Sequence, residues 1–284
     1  MHETVPRPAL RPALRPALRP FIGKLWASTS TGQAPGTREH VLPTGQMHLV
    51  FRLAGPALRI YDHPGDLVGS SIGAPVVGGV RSAFYAKEAA APVVSVGVQL
   101  LPGAAHALFG VSAAELAGRH TPLPDLWGSQ ADSLFQQLAE TPDPRRRLAL
   151  LESVLAERLA ARPVLRPTVA QAIAACAHPA RIDELVRASG YSHRGLIALF
   201  SQATGVSPKR YACLMRFQAV LAALRRQPAV SLSALAHDAG YADQAHMARE
   251  FRAMAGVTPS EYRTLAPAAA HHVAPARSNL FKTG

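Results

Sequence analysis

Residues 189–211 read SGYSHRGLIALFSQATGVSPKRY, and residues 239–262 read AGYADQAHMAREFRAMAGVTPSEY. Both stretches carry Gly-Tyr, then Phe, Gly-Val, Pro and Tyr in the same order. Gly190 and Tyr191 match Gly240 and Tyr241 at an offset of 50; Phe200, Gly205, Pro208 and Tyr211 match Phe251, Gly256, Pro259 and Tyr262 at 51. The second copy therefore has one extra residue near the start of the segment between Tyr and Phe. A pattern written twice means one small structural unit built twice. The shared residues are those a fold needs: apolar anchors, a turn glycine and a helix-starting proline.

Local signals say what the unit is. RIDELVRASGY reads as a helix with Ile182, Leu185 and Val186 on its apolar face and a stop at Gly190. Leu185 recurs as Leu235. Ser192 is an N-cap residue for a second helix that turns Leu196, Leu199 and Phe200 inward. Helix, glycine turn and helix make a helix-turn-helix, whose second helix is shaped for the major groove. Ahead of it, TVAQAIAACAHP reads as a short helix with Thr168 as N-cap. Between the copies, Leu214, Phe217, Leu221 and Leu224 fall at helical spacing, which predicts one connecting helix ending at Pro228. About 34 Å, one turn of B-DNA, is the separation that sets two readers in successive grooves.

Charge agrees with a polyanionic partner. The chain has 284 residues and a formal net charge of +12. A basic balance favours nucleic acid first and a membrane surface second. Residues 25–141 hold six basic and eight acidic side chains, whereas 168–265 hold eleven and six, so the excess lies with the repeat. The two cysteines, Cys176 and Cys213, supply neither a disulfide framework nor a zinc set and fit a reducing compartment. The uncharged run from Ala89 to Ala114 is broken by Pro92, Pro102, His106 and three glycines, which predicts a buried strand and a short helix rather than a membrane span.

The first half reads differently. Residues 7–20, RPALRPALRPALRP, carry proline every fourth position and are expected to be a disordered basic leader, over 1–24. From Arg38 to Leu101 strands are expected, with MHLVFRL alternating Met47, Leu49, Phe51 and Leu53 against His48, Val50 and Arg52. Short strands between Gly/Pro turns predict a small β-sandwich or barrel. Helices follow: SAAELAG with a capping box from Ser112 and Glu115, LWGSQADSLFQQLAE, and PRRRLALLESVLAERLAAR. Pro163 and Pro167 mark a linker. The fold class is thus α+β: a β-rich domain with flanking helices over 25–163, an all-α double helix-turn-helix domain over 164–265, and a flexible tail over 266–284.

Region 165–265 resembles the AraC/XylS family of bacterial transcription regulators, through LVRASGYSHRGLIALFSQATGVSPKRY and LAHDAGYADQAHMAREFRAMAGVTPSEYR. The stretch VLPTGQMHLVFRL looks like the β-rich regulatory segment that precedes this domain in one subgroup. The resemblance implies that the helices after Tyr191 and Tyr241 read DNA. The exposed positions then fall on His193, Arg194, Ile197 and Ala198 in the first, and on Asp243, Gln244, Ala245, His246 and Arg249 in the second. Family members often carry a basic residue where Ala198 stands and a bulkier one at Gly195. Arg194 is left as the main candidate for a guanine contact, Gln244 for adenine, and Arg249 for guanine or phosphate. Asp243 is expected to be an N-cap. Lys209 and Arg210, opening the connecting helix, are candidate phosphate contacts. Tyr191, Phe200, Tyr241, Phe251 and Tyr262 are expected in the core.

No catalytic constellation stands out. His40, His48 and His63, near Asp62, Asp66 and Glu88, lack the close His-x-His pair and later glutamate of a cupin-type metal site, and His271-His272 lies in the tail. Neither a phosphate loop nor a nucleophile elbow occurs. The expectation is a cytoplasmic, non-enzymatic regulator of double-stranded DNA, with no cofactor, no metal and no membrane, controlled by a small-molecule effector or a partner at its first domain. RNA polymerase is a further partner open to such a protein. Oligomeric state and direction of control stay open. The alternative is a small-molecule-modifying module fused to a DNA-binding domain.

Overall fold

The computed structural model describes residues 13–30, 37–63, 65–89, 92–160, 165–176, 184, 186–187 and 190–274. Two five-stranded antiparallel sheets form the first half. Strands β1 (Ile22–Ser30), β2 (Arg38–Val41), β3 (Met47–Ala54), β4 (Leu58–Tyr61), β5 (Ser70–Ile72), β6 (Val76–Gly78), β7 (Tyr85–Glu88), β8 (Val93–Leu100) and β9 (His120–Pro122) come from this part of the chain, and β10 (His272–Val273) from its end. One sheet runs β1-β8-β3-β6-β9 and the other β10-β2-β7-β4-β5. The helices after β8 are α1 (Ala104–Phe109), α2 (Ala113–Leu116), α3 (Pro124–Trp127), α4 (Ser129–Glu140) and α5 (Pro144–Leu159). Ser112 and Glu115 make the expected capping box on α2.

The second half is helical: α6 (Pro167–Cys176), α7 (His193–Thr204), α8 (Pro208–Arg226), α9 (Leu232–Asp238), α10 (Gln244–Ala255) and α11 (Pro259–Leu265). The helix expected over 181–189 lies mostly outside the described residues. Helix α6 begins at Pro167, so Thr168 sits inside its first turn and is not the N-cap. A proline tolerates that first position because its missing N–H has no partner to lose there.

The alternation in β3 sorts the molecule into layers. Met47, Leu49 and Phe51 are buried against the helices, and Val96, Val98 and Leu100 of β8 join them. The same apolar cluster takes in Leu134 and Leu138 of α4, Leu148, Leu151 and Leu155 of α5, Leu214 and Phe217 of α8, and Phe251 of α10. One core thus runs from the first sheet through the flanking helices into the second helix-turn-helix. The opposite face of β3, with His48, Val50 and Arg52, looks toward the second sheet and keeps part of its surface accessible. In an ordinary sandwich the inter-sheet face is the dry one; here the dry face is the helix-covered one.

Three expectations need correcting. The leader is not disordered throughout: among residues 13–24, Pro16–Leu18 form a 3-10 turn and Leu18, Phe21 and Ile22 are buried. The repeat spaces a leucine every four residues, and Leu18 reaches the core while Arg15 pairs with Glu152 of α5 at 3.5 Å. The strands start at Ile22, well before Arg38. The tail is also not free over 266–274. His272 and Val273 pair with Val41 and His40 of β2. Arg225 donates to Pro267 O at 2.7 Å, and Tyr262 Oη donates to Ala270 O at 2.9 Å. Val273 is fully buried. A two-residue strand carries almost no periodicity, so only tertiary contact defines it.

Several histidines near the inter-sheet space are held neutral. Burial, reinforced by the charge of Lys24, pushes His48 down to about 3. Burial and Arg81 bring His120 to about 4, and burial and His272 bring His271 to about 4. Burial alone would raise Glu39, but its bond to His272 and the charge of Lys87 outweigh that and hold it at about 2. A histidine whose folded pKa is depressed gives stability that is whole above its unfolded value and is lost as pH falls toward the folded one.

Two outcomes follow. Val273→Ala is expected to cost about 2 kcal/mol in a urea melt of the full chain, where a free tail would register no change. Stability is expected to fall between pH 6.5 and pH 4.5, by up to about 1.4 kcal/mol per pH unit for each half-buried neutral histidine. His48→Gln should make that decline shallower, as measured by the denaturation midpoint at each pH. Glu39 adds its own loss only below pH 4.5.

Candidate DNA-binding surface

The two repeat helices start from matched caps. Ser192 Oγ accepts from the Gly195 N–H, and Asp243 Oδ1 accepts from the His246 N–H at 2.6 Å. These caps place His193 against Gln244, Arg194 against Ala245, Gly195 against His246 and Ala198 against Arg249. The extra residue of the second copy therefore lies between Tyr241 and its cap, in the turn rather than in the helix. Inward, Leu196 and Phe200 are buried in α7 as Met247 and Phe251 are in α10.

The outward residues separate into two groups. His193, Arg194, Gln244 and Arg249 are exposed, as are Lys209 and Arg210 at the start of α8. Ser207 caps that helix by accepting from the Arg210 N–H. Ile197 is half-buried. His246 is turned sideways: its ring meets Tyr241 edge-on at 5.4 Å, and its Nε2 lies 3.7 Å from Glu250. Glu250 also pairs with Arg216 of α8 at 3.3 Å, and the Arg216 guanidinium lies over the Tyr241 ring at 5.1 Å. This cluster fastens α10 to α8. The sequence carried no signal for Arg216, because its partners lie 25 and 34 residues away, Tyr241 in the turn before α10 and Glu250 on α10.

Tyr191 departs from expectation. It is 36% exposed, whereas Tyr241 is 5% exposed. Tyr241 is covered by Arg216 and His246; at the position of His246 the first copy has Gly195, which brings no ring to cover Tyr191.

Each reading helix also has an inward end. Helix α7 ends at Gly205 (φ 84°) and α10 at Gly256 (φ 73°), both left-handed caps. Both seat on the β-rich half. A Cβ on Gly205 would stand 3.1 Å from Ala113 O and 3.3 Å from Val80, and one on Gly256 would stand 2.6 Å from the His40 ring. Beside them, the Gly103 N–H donates to Ala203 O at 2.8 Å, and His40 Nδ1 donates to Ala255 O at 3.0 Å while stacking on Phe84. The middle of α8 is tied in as well: Gln218 Nε2 donates to Pro43 O at 2.7 Å and its Oε1 accepts from His271 at 2.8 Å. The N-terminal halves of α7 and α10 are left outward, and an N-terminal turn is the end that meets base edges. No helix among the described residues is long and apolar enough to cross a membrane.

Two family models match: a helix-turn-helix domain over residues 185–264 and a domain of unknown function (DUF6597) over residues 10–122. An uncharacterized HTH-type transcriptional regulator of Haemophilus influenzae is 33% identical over 82 residues, 29% of this chain and 27% of that protein. The chain thus spans about a quarter of the length of that curated relative. Solved structures similar to it include a probable AraC family transcriptional regulator from Rhodopseudomonas palustris, 29% identical over 36% of this chain and 95% of that one, TM-score 0.32. ToxT from Vibrio cholerae is 9% identical over 86% of this chain and 99% of that one, TM-score 0.45. Residues 185–264 thus form a helix-turn-helix domain, with the duplicated, matched helices α7 and α10 inside it, behind a β-rich N-terminal half.

Proposed function

We propose that the chain binds double-stranded DNA sequence-specifically through α7 and α10 and regulates transcription in the bacterial cytoplasm. The observation that supports this most is the pair of capped helices, built on one scaffold, whose exposed N-terminal halves differ in sequence. A scaffold kept twice with different outward residues suits two readers of different bases. Arg194 and Arg249 are the guanidinium forks for guanine or phosphate, Gln244 the amide for adenine, and Lys209 and Arg210 the phosphate contacts. His193 and Ile197 lie on the same outward side of α7. His246, held by Tyr241 and Glu250, acts by positioning α10. The β-rich half controls the readers through their seated C-terminal ends, under a small-molecule effector.

Strand β2 is the shortest route for that control. Its Glu39 looks into the space between the sheets, while the next residue, His40, grips the end of α10. Any displacement of β2 is felt at both.

The test is a binding titration of the full chain with DNA from its own genomic neighbourhood, at several salt concentrations. Binding that ignores sequence and vanishes near physiological salt would sink the regulator reading. Arg194→Ala is expected to cost about 1–3 kcal/mol at one base position and relax specificity there. Lys209→Ala should weaken all sequences alike and lower the salt slope by about one. His40→Ala is expected to speed amide exchange at residues 255–257 about tenfold by hydrogen-exchange mass spectrometry, with the far end of α10 unchanged.

A further inference from the structure

We propose that Arg216, on the connecting helix α8, is the positioning residue that sets the rotation of α10 about its own axis, and with it the base discrimination of the second reader. This rests on the reading of α10 as a DNA-reading helix, and it assigns that reading's precision to a group outside the helix.

The Arg216 guanidinium reaches three groups. Its Nη2 lies 3.3 Å from Glu250 Oε2 and donates to Cys213 Sγ at 3.4 Å, and its central carbon lies over the Tyr241 ring at 5.1 Å. Glu250 uses its second oxygen for two further neighbours. Oε1 accepts from the Cys213 thiol at 3.6 Å and stands 3.7 Å from His246 Nε2. His246 in turn meets the Tyr241 ring edge-on, which closes the circuit. The side chains of Arg216 and Glu250 are only 30% and 25% exposed, so the pair is partly shielded from water. Shielding makes such a pair stronger than one on the open surface.

The place of this circuit on α10 gives it its role. Met247, Phe251 and Met254 form the buried seam of the helix, with Phe251 packed on Phe217 of α8 at 5.1 Å between ring centres. Apolar packing is non-directional, so a seam fixes the distance between two helices more firmly than the rotation of either. His246 and Glu250, four residues apart, share one flank beside the seam. Holding that flank fixes the rotation, because polar contacts weaken steeply with distance and angle. A roll of about 20° carries an outward side-chain tip about 2 Å on a helix about 11 Å across. That displacement breaks a hydrogen bond from Gln244 or Arg249 to a base edge.

The first reader carries no such device on this flank. Cap for cap, Gly195 stands at the place of His246 and Leu199 at the place of Glu250. Neither side chain can hold a guanidinium. Helix α7 is therefore an internal control, since a change at Arg216 reaches α10 and leaves α7 as it was.

The experiment lets the full chain select duplexes from a library randomised over about 25 base pairs, room for two sites one helical turn apart. Arg194→Ala and Gln244→Ala then mark the half-sites of α7 and α10, each by relaxing its own. If no sequence is enriched, the reading of α10 falls and this proposal with it; if one is enriched, the remaining outcomes bear on Arg216 alone. Arg216→Met keeps the stem and removes the charged fork. It is expected to lower the preference for selected over singly substituted bases by about fivefold or more in the α10 half-site, with the α7 half-site and the salt slope unchanged. A preference is a ratio of affinities, so inactive protein cancels from it, and a variant that merely folds less well leaves both ratios where they were. Glu250→Gln should reproduce the loss, and Arg216→Lys, which keeps the charge but not the planar fork, should restore part of it. The double variant Arg216→Met with Glu250→Gln should lose no more than the larger single loss. Unchanged preference at the α10 half-site, or equal loss at both, overturns the proposal. A uniform loss of affinity with the salt slope lowered by about one makes Arg216 a phosphate contact instead, and overturns it too.

Discussion

The arrangement depends on one apolar core that does not stop where the chain changes character. It begins on the helix-covered face of the first sheet, passes through α4 and α5, and continues into α8 and α10. The second helix-turn-helix is therefore fused to the β-rich half. The first has its own small cluster, made of Ala172, Cys176, Leu196, Phe200 and Tyr211, with Val206 and Met215 touching both. Two copies of one unit are thus anchored unequally. The unit built around Phe251 shares the core of the first sheet, while the unit built around Phe200 keeps its own cluster and meets the β-rich half through α7 against α1 and α2.

The glycines at the helix ends acquire a second role in this light. Gly205 and Gly256 are needed for their left-handed turns, as at many helix ends. They also bring the helix termini close enough for backbone and ring to touch the β-rich half. A repeated Gly-Val that looks like plain punctuation in the sequence is, in three dimensions, the place where each reader is held.

Much of this was legible before any coordinates. The helices from α2 to α11 that carry clear spacing or caps, the β3 alternation and the caps at Ser192 and Asp243 follow from local rules. What escaped was whatever depends on distant partners. Leu18 and Val273 sit in low-complexity ends whose composition suggests disorder, and only the core they plug says otherwise. Tyr191 and Tyr241 look equivalent in sequence, yet differ because Gly195 stands where the second copy has His246. Arg52 reads as one polar residue in an alternating strand. That its Nε is buried with no hydrogen-bond partner among the described residues emerges only in the fold.

The tail strand has a consequence for how the protein is made. Glu39 and His272 are 233 residues apart in sequence and bonded in the fold. Translation delivers β2 long before its edge partner. Until β10 clears the ribosome, the β2 edge is bare and free to pair with any extended segment. The second sheet is thus completed only after both helix-turn-helix units have emerged, so the sheet closes over helices already built.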